Sequence, residues 1–463
     1  MKILFYVEPH PLRDSFISHS QPFNIFSRIC KQIFSTESKD YEDIDARIFS
    51  SHVLQEIKFN EVLDVWPIVV TPTIEEQKKI EDMAKLWLPG GLNDWLDLCN
   101  NSESEISAFY INVLDRIKST TFDFDVIVSW GQNSAIKRFA EHNKVQTVYM
   151  ELASMRPPFP KAFLMDPIGV NGAASSAFLN IKNIAPYLEA IPSDLVLSLL
   201  NDEFAKDRQN SNLYLSLFNP IIELDGSLAN KERCVALVPL QLADDANLLL
   251  YSDYKSIEDF VDYSVSTLID YGWDVIIKPH PHAVLRGGYV EREQIKCIRK
   301  YEDFPSVTVF NGGSESDYLS LLNNVDLVVT NNSSLGFEAL MVGTQCVTLG
   351  RACYSIIDGL PNLEQFLKSD PNERISYKKK AELIVAFMLS FMFPLDRNLG
   401  EELINRVRLW KELGSPCDGN MNKWIKANIE SLGWNTWFKK EVLKNYFEKD
   451  SSHKDQENKW VNP

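Results

Sequence analysis

The chain has 463 residues, of which 45% are hydrophobic and 24% charged, a composition typical of a globular protein with two domains. Its formal net charge of −17 argues against nucleic acid as a partner, because a phosphate backbone is held by an excess of Lys and Arg. The amino-terminal apolar run is too short for a signal peptide and no segment reaches the length of a membrane span, so we expect a cytoplasmic protein. Seven scattered cysteines without zinc spacing are predicted to be reduced core residues.

The first half of the chain alternates short apolar runs with helix-length segments. Residues 2–7, 124–129 and 145–150 are predicted strands, whereas residues 51–120 are mostly helical in pattern. A polar, loop-like segment follows at 166–176. Because strands separated by helices form parallel sheets, we predict a doubly wound, Rossmann-like domain over residues 1–220.

A second alternating series predicts another doubly wound domain over residues 221–393, facing the first across a cleft. Its elements are predicted strands at 234–240, 273–277, 306–310, 325–330 and 345–349, and predicted helices at 257–271, from Glu315 and from Ser334. The remaining residues, 394–463, are predicted to be helical and to pack back across both domains. Their Trp and Lys residues leave a membrane-apposed amphipathic surface as the alternative.

Two polar clusters follow predicted strands of the second domain. Residues 278–281 read Lys-Pro-His-Pro, and residues 331–338 read Asn-Asn-Ser-Ser-Leu-Gly-Phe-Glu. Open α/β sheets bind ligands at the carboxyl ends of their strands, which is where both clusters lie.

The side chains of these clusters suit a phosphate. Lys278 supplies a point charge and His280 an imidazole, while Ser333 and Ser334 supply hydroxyls at the start of a helix. The alternative is that the prolines only close a strand and that one serine is an ordinary helix N-cap. Because both clusters occur together, we predict a site for a nucleotide-activated substrate.

The same motifs carry a family resemblance. His280-Pro281 and Ser333-Ser334 resemble the HP and SS motifs of bacterial transferases that use CMP-activated acid sugars. More specifically, the chain resembles the Kdo transferases of capsule and lipopolysaccharide O-chain synthesis, the capsule polysaccharide biosynthesis family. Kdo is an eight-carbon keto-acid sugar.

Three further segments extend this resemblance. They are Glu151 followed by Arg156-Pro157, residues 166–171 (Asp-Pro-Ile-Gly-Val-Asn), and residues 238–245 (Val-Pro-Leu-Gln-Leu-Ala-Asp-Asp). The resemblance spans roughly residues 130 to 350. It implies an α/β fold of the GT-B type, with two facing Rossmann-like domains and C-terminal helices crossing back.

The resemblance also implies a mechanism. Transfer from CMP-β-Kdo with retention requires a carboxylate nucleophile, and the family position falls on Asp245. Asp244 is the alternative nucleophile, and a solvated turn is the alternative reading of the pair. Glu151 is expected to be the general base for the acceptor hydroxyl, with a surface carboxylate or a partner for Arg156 as the alternative.

The donor is expected to contact a larger set of side chains. The expected donor-binding residues are Gln241, Lys278, His280, Asn332, Ser333, Ser334, Glu338 and Arg156. Glu338 is assigned to a ribose hydroxyl, although a glutamate in the first turns of a helix also has a dipole explanation. No metal or other cofactor is expected, because Lys, imidazole and helix-end amides neutralise a monophosphate leaving group.

The expected partners are a CMP-sugar donor and a saccharide or glycolipid acceptor, with peripheral association at the inner membrane and other transferases of the pathway left open. A CDP-glycerol glycerophosphotransferase of teichoic-acid type is the alternative enzyme, and donor choice separates the two. A non-catalytic sugar-nucleotide-binding partner is the alternative outside enzymes, and the presence of Asp245, Glu151 and His280 argues against it.

Overall fold

The fold is that of a computed structural model, which describes residues 1–12, 15–35, 41, 43–59, 69–83, 90–155, 162–188, 233–310, 321–394, 398–414, 416 and 419–431. Two compact units divide these residues. The first contains Met1–Leu152, Phe163–Ser175 and Leu395–Asn420, and the second contains Ala153–Ala162, Ser176–Pro394 and the residues from Met421 onward.

The strands are short, as expected for parallel sheets covered by helices. They are β1 (Lys2–Tyr6), β2 (Asp45–Phe49), β3 (Val69–Val70), β4 (Val126–Trp130), β5 (Gln146–Leu152), β6 (Ala162–Asp166), β7 (Val235–Pro239), β8 (Asp274–Lys278), β9 (Val307–Val309), β10 (Leu327–Thr330), β11 (Gln345–Thr348) and β12 (Met392–Pro394).

The helices fill the connections between these strands. They are α1 (Ser20–Ser35), α2 (His52–Phe59), α3 (Ile74–Met83), α4 (Leu92–Asn100), α5 (Glu105–Arg116), α6 (Ser134–Asn143), α7 (Ile181–Leu188), α8 (Ala246–Tyr251), α9 (Ile257–Asp270), α10 (His282–Arg286), α11 (Gly288–Tyr301), α12 (Ser334–Met341), α13 (Leu363–Lys368), α14 (Pro371–Phe391), α15 (Leu399–Leu413) and α16 (Met421–Ser431).

In the first unit the strands follow the order β3-β2-β1-β4-β5-β6. All pairs are parallel except β5 with β6, which are antiparallel. The central strand β1 is buried over residues 3–6, because helices cover both faces of the sheet.

In the second unit the order is β11-β10-β7-β8-β9, and every pair is parallel. The chain therefore runs outward from β7 through β8 to β9, and then returns to the other side of β7 to add β10 and β11. The first unit repeats this pattern from β1. Each sheet consequently has a topological switch point, between β1 and β4 in the first unit and between β7 and β10 in the second.

The predicted α/β class, with two units built on parallel sheets, is confirmed. Strands β2, β3 and the antiparallel β6 were not predicted. Strands β2 and β3 lie within or beside stretches of sequence without a strong period-two signal. The predicted helix from Glu315 begins outside the described residues. Cys234 corrects the prediction of buried cysteines, because it precedes β7 and is exposed.

The carboxyl-terminal helices pack within separate units. Helix α15 packs on α1 and β5 of the first unit, and α16 packs on α7 and α14 of the second. Trp410 and Trp424, on these helices, are buried, which argues against a membrane-apposed role for their rings. Over the described residues, no helix combines the length and the apolar character needed to cross a membrane.

Candidate active site

The second unit gathers four polar segments at one edge of its sheet. Because its strands are parallel, the residues that follow β7, β8, β10 and β11 all lie at the carboxyl edge. These segments contain residues 241–245, 278–280, 331–334 and 349–351. The first three were predicted from the sequence, and the segment after β11 was not.

Gln241 and Asn332 bridge the switch point directly. The Gln241 Nε2 donates to Asn332 Oδ1 at 2.9 Å, and the Asn332 backbone N–H donates to Gln241 Oε1 at 3.3 Å. Asn332 Nδ2 also donates to the Asn247 carbonyl in α8 at 2.6 Å. Both amides are buried, so they hold the loops after β7 and β10 together, and their predicted contact with the donor stays a prediction.

Asn331 joins the same loops to the segment after β11. Its Oδ1 accepts from the Ser252 hydroxyl at 2.6 Å, and its carbonyl accepts from the Gly350 N–H at 2.7 Å. A Cβ atom on Gly350 would lie 2.5 Å from Asn331 Oδ1, so this close approach requires glycine. The two asparagines therefore fix three loops of the edge relative to one another.

The two neighbouring aspartates have different surroundings. The Asp244 carboxylate is 2% exposed and forms an ion pair with the guanidinium of Arg286 at the end of α10. Asp245 caps α8, since its Oδ1 accepts from the Asn247 N–H at 2.9 Å. The reading of this pair as a solvated turn is therefore wrong.

Burial raises the pKa of the Asp245 carboxyl above its ordinary value. The Asn247 N–H, the Gln241 side chain and the charge of Arg286 act in the opposite direction and favour the ionised form. Asp245 is more exposed than Asp244, and its hydrogen-bond donors stabilise the negative charge of the ionised carboxylate.

Lys278 ends β8 and lies close to the charge of Glu338. Burial lowers the pKa of the Lys278 ammonium, and the Glu338 carboxylate opposes that shift. Glu338 itself is only 1% exposed on α12. The Glu338 carboxylate therefore balances the positive charge of Lys278. Its predicted contact with a ribose hydroxyl stays a prediction.

His280 is oriented by two backbone contacts. Its N–H donates to Oε1 of the buried Gln294 at 2.7 Å, and its Nδ1 accepts from the His282 N–H at 3.2 Å. Because Nδ1 is an acceptor, the neutral ring carries its proton on Nε2. The Nε2–H is thereby prepared to donate to an anionic ligand.

Ser333 is the N-cap of α12, and Ser334 is its first residue, as the sequence predicted. The Ser333 hydroxyl accepts from the Leu335 N–H at 3.3 Å, while the Tyr354 hydroxyl donates to the Ser333 carbonyl. A Cβ on Gly336 would lie 2.8 Å from Cγ2 of Thr330, so this glycine lets α12 start tightly against β10. The N-cap reading and the phosphate-site reading are compatible here, because the same helix end supplies the positive dipole.

In the first unit, Glu151 lies within β5 rather than after it. Its Oε1 accepts from the Leu152 N–H at 2.9 Å, and its Oε2 lies 4.0 Å from the position of a Cβ on Gly131, in the loop after β4. Arg156, expected to bind the donor or to pair with Glu151, lies outside the described residues.

The sequence analysis did not identify Glu8, which follows β1 at the first unit's switch point. Its Oε2 accepts from Asn133 Nδ2, after β4, at 2.7 Å. Asn133 in turn caps α6, accepting from the Ile136 N–H at 3.0 Å. Burial raises the pKa of the Glu8 carboxyl to about 7. The position of an acid directly after the first strand is the signal that would have found it.

The largest features outside this edge do not involve the predicted site residues. A cavity of about 700 Å³ lies at the opposite, amino-terminal edge of the first unit's sheet, lined by Asp125, Gln146 and Trp410 among others, and includes none of the predicted site residues. Within the described ranges, no group of three or more His, Cys, Asp or Glu is placed to hold a metal ion.

The fold is that of an α/β protein with two parallel-sheet units, and in the second unit polar and cationic side chains lie at the carboxyl edge of the sheet. A family profile described as "Capsule polysaccharide biosynthesis protein" matches residues 219–392, the part of the chain that builds this edge. The match agrees with the resemblance predicted from the sequence.

Curated relatives match about half of the chain. Protein FixF of Sinorhizobium fredii is 27% identical over 53% of this chain and 54% of its own length. The capsule polysaccharide modification protein LipA of Neisseria meningitidis serogroup B is 26% identical over 50% of this chain and 31% of its own length. The chain thus spans about half of one relative and a third of the other.

Among solved structures, the Thermosulfurimonas dismutans KpsC, beta Kdo 2,7 transferase, is similar over 78% of this chain and 99% of that chain. The sequence identity is 16% and the TM-score is 0.38.

Proposed function

We propose that this protein is a glycosyltransferase that moves Kdo from CMP-β-Kdo to a saccharide acceptor in the synthesis of a bacterial capsule or lipopolysaccharide O-chain. The observation that carries the proposal is the convergence of Lys278, His280 and the Ser333-Ser334 helix start at the carboxyl edge of the second sheet. The match of this region to the capsule polysaccharide biosynthesis family supports a saccharide-building role.

The edge is chemically suited to a leaving phosphate. As CMP departs, negative charge accumulates on the phosphate oxygens, and preorganised donors stabilise that charge. The Nε2–H of His280, the Lys278 ammonium and the amino terminus of α12 are the groups assigned to this task. None of them requires a metal ion, so metal independence belongs to the proposal.

The proposed chemistry is a double displacement. In the first step an Asp245 oxygen forms a bond to the anomeric carbon while the bond from that carbon to the CMP phosphate oxygen breaks. In the second step an acceptor hydroxyl attacks the same carbon, Glu151 takes the hydroxyl proton, and the bond to Asp245 breaks. Two inversions at one carbon give net retention.

The surroundings of the two aspartates support Asp245 as the nucleophile. The Asp244 carboxylate is buried against Arg286, whereas Asp245 is partly exposed at the start of α8. Attack in line with the departing phosphate needs an accessible oxygen, and Asp245 meets this requirement better.

Incubation of the protein with CMP-Kdo and a panel of saccharide acceptors tests the proposed function. We expect mass spectrometry to detect an acceptor increased by one Kdo residue, together with free CMP. Consumption of CDP-glycerol without any Kdo transfer would instead identify the alternative enzyme.

A further inference from the structure

Arg351 lies at the same carboxyl edge as the proposed donor site, in the segment that follows β11. Its backbone N–H donates to the Tyr251 carbonyl at 2.7 Å, and the preceding Gly350 is bonded to Asn331. The segment is therefore tied both to the end of α8, which Asp245 caps, and to the loop that presents Ser333.

The guanidinium of Arg351 is stacked on aromatic rings. Its Cζ lies 4.9 Å from the ring centroid of Phe178 and 5.7 Å from that of Tyr251. Such stacking limits the number of arrangements of an otherwise flexible side chain while leaving its N–H groups available to a ligand. Arg351 is exposed, so solvent and ligands reach it.

The second arginine near the edge is used differently. Arg286 is paired with the buried carboxylate of Asp244. Within the part of the chain that the structure describes, Arg351 forms no ion pair with a carboxylate. Arg351 is consequently a preorganised cation without a described anionic partner.

The strand order separates Arg351 from the phosphate-binding groups. In the order β11-β10-β7-β8, Lys278 and His280 follow β8, whereas Arg351 follows β11 on the other side of the switch point. A donor with only a phosphate has one anionic group, but a CMP-linked acid sugar has two, the phosphodiester and the sugar carboxylate. Cations on both sides of the switch point match the second kind of donor.

We propose that Arg351 binds the carboxylate of the donor's acid sugar and thereby selects acid-sugar donors over neutral ones. The inference rests on the proposed function, since it names the residue that recognises the sugar half of that donor. A planar guanidinium fits a carboxylate through two parallel N–H···O bonds, which a lysine ammonium does not reproduce.

The test compares Arg351→Gln and Arg351→Lys with the wild type. We expect Arg351→Gln to raise the KM for CMP-Kdo about ten- to a hundred-fold, the range for loss of charge-assisted hydrogen bonds. CMP has no sugar carboxylate, so its affinity by calorimetry should be unchanged. Arg351→Lys should retain part of the donor affinity. The matched control is Arg299→Gln, an exposed arginine on α11, which should change neither quantity.

Each other outcome has a defined meaning. A parallel loss of CMP affinity in Arg351→Gln would assign the residue to the phosphate, and an unchanged KM would remove it from donor binding; either result overturns the proposal. If the wild type binds CMP but transfers no Kdo, the proposed function fails. In that case, displacement of bound CMP by a CMP-linked acid sugar still tests the role of Arg351. Weaker displacement in Arg351→Gln than in the wild type supports the carboxylate contact, and equal displacement contradicts it.

Discussion

The two units share a strand order but differ in the chemistry of their switch points. In the first unit Glu8, after β1, accepts from Asn133, after β4, at 2.7 Å. In the second unit Gln241, after β7, donates to Asn332, after β10, at 2.9 Å. The same topology thus places a polar bridge at the same point of each sheet.

The residues beside each bridge make the difference. The first bridge contains a buried carboxyl next to the buried His10 and Tyr6. The second bridge consists of neutral amides and is flanked by the ammonium of Lys278 and the imidazole of His280. Topology therefore places a polar bridge at the switch point of each sheet, and the cations beside the second bridge are the groups that we propose to bind an anionic ligand.

The largest expected effect separates the two aspartates after β7. If Asp245 is the nucleophile, Asp245→Asn should lower the transfer rate by at least about a thousand-fold, the order found when a covalent nucleophile is removed. Asparagine is as good an N-cap as aspartate, so α8 should be preserved and the melting temperature should change little. Initial rates and thermal melts on the same preparation check this prediction.

Trapping the covalent intermediate is a second test of which aspartate is the nucleophile. Glu151→Gln slows the second step, so this variant incubated with CMP-Kdo should accumulate a Kdo adduct. Peptide mapping should place the adduct on Asp245. An adduct on Asp244 would exchange the roles of the two acids, and full activity of both Asp245→Asn and Asp244→Asn would discard nucleophilic catalysis.

The next effect concerns the first unit's bridge. Burial raises the pKa of the Glu8 carboxyl from 4.5 to about 7, so between these values the folded chain holds a proton that the unfolded chain has released. The free energy of unfolding should therefore fall as the pH rises through this window, by up to about 3 kcal/mol from Glu8. Glu8→Gln should remove this dependence.

Urea unfolding at pH 5, 6, 7 and 8 measures the difference between wild type and Glu8→Gln. Asp166, whose pKa burial raises to about 6, acts in the same direction, and His10, whose pKa burial lowers to about 4, acts in the opposite one. Both remain in the variant, so the difference isolates Glu8. Glu105→Gln on the surface of α5 is the matched control, and parallel curves for wild type and Glu8→Gln would contradict the assignment.

A smaller effect is expected for the ion pair in the second unit. Asp244→Ala leaves the partly exposed Arg286 without its partner and should lower the free energy of unfolding by about 1 to 3 kcal/mol. Transfer should be affected less than in Asp245→Asn. A double-mutant cycle with Arg286→Ala measures the coupling, and strictly additive effects would show that the pair contributes no coupling energy.

The smallest expected effect is that of chelation. Because the proposed phosphate site uses Lys278, His280 and a helix end, transfer should proceed at an unchanged rate in excess EDTA. Recovery of a chelated, inactive enzyme on addition of Mg²⁺ or Mn²⁺ would contradict this expectation.

The sequence predicted most of the second sheet because each of its strands is a short apolar run with polar residues directly after it. The start of α12 was predicted to the residue, since Ser333 and Ser334 combine a cap with the end of a buried strand. Strands β2 and β3 were missed because sheet pairing, rather than local pattern, determines them.

The site was predicted less completely. Lys278 and His280 were predicted because they follow predicted strands and their side chains are typical of phosphate sites. Glu8 and Arg351 were not identified, although each also follows a strand. The role of a single charged residue depends on its neighbours in space, which the sequence alone does not show. The ion pair of Asp244 with Arg286 joins residues 42 apart in the chain, and no local pattern predicts it.

Calorimetric titration with CMP tests most directly the central claim, that the second unit's carboxyl edge holds the donor nucleotide. The wild type should bind CMP, and His280→Ala should weaken binding about ten- to a hundred-fold through loss of a charge-assisted hydrogen bond. His282→Ala should have a smaller effect, because it keeps the backbone N–H that donates to His280 Nδ1 and removes only an edge-to-face ring contact with His280 at 5.5 Å, and Glu8→Gln should leave CMP affinity unchanged. Unchanged affinity in His280→Ala, or a loss of affinity confined to Glu8→Gln, would contradict the account.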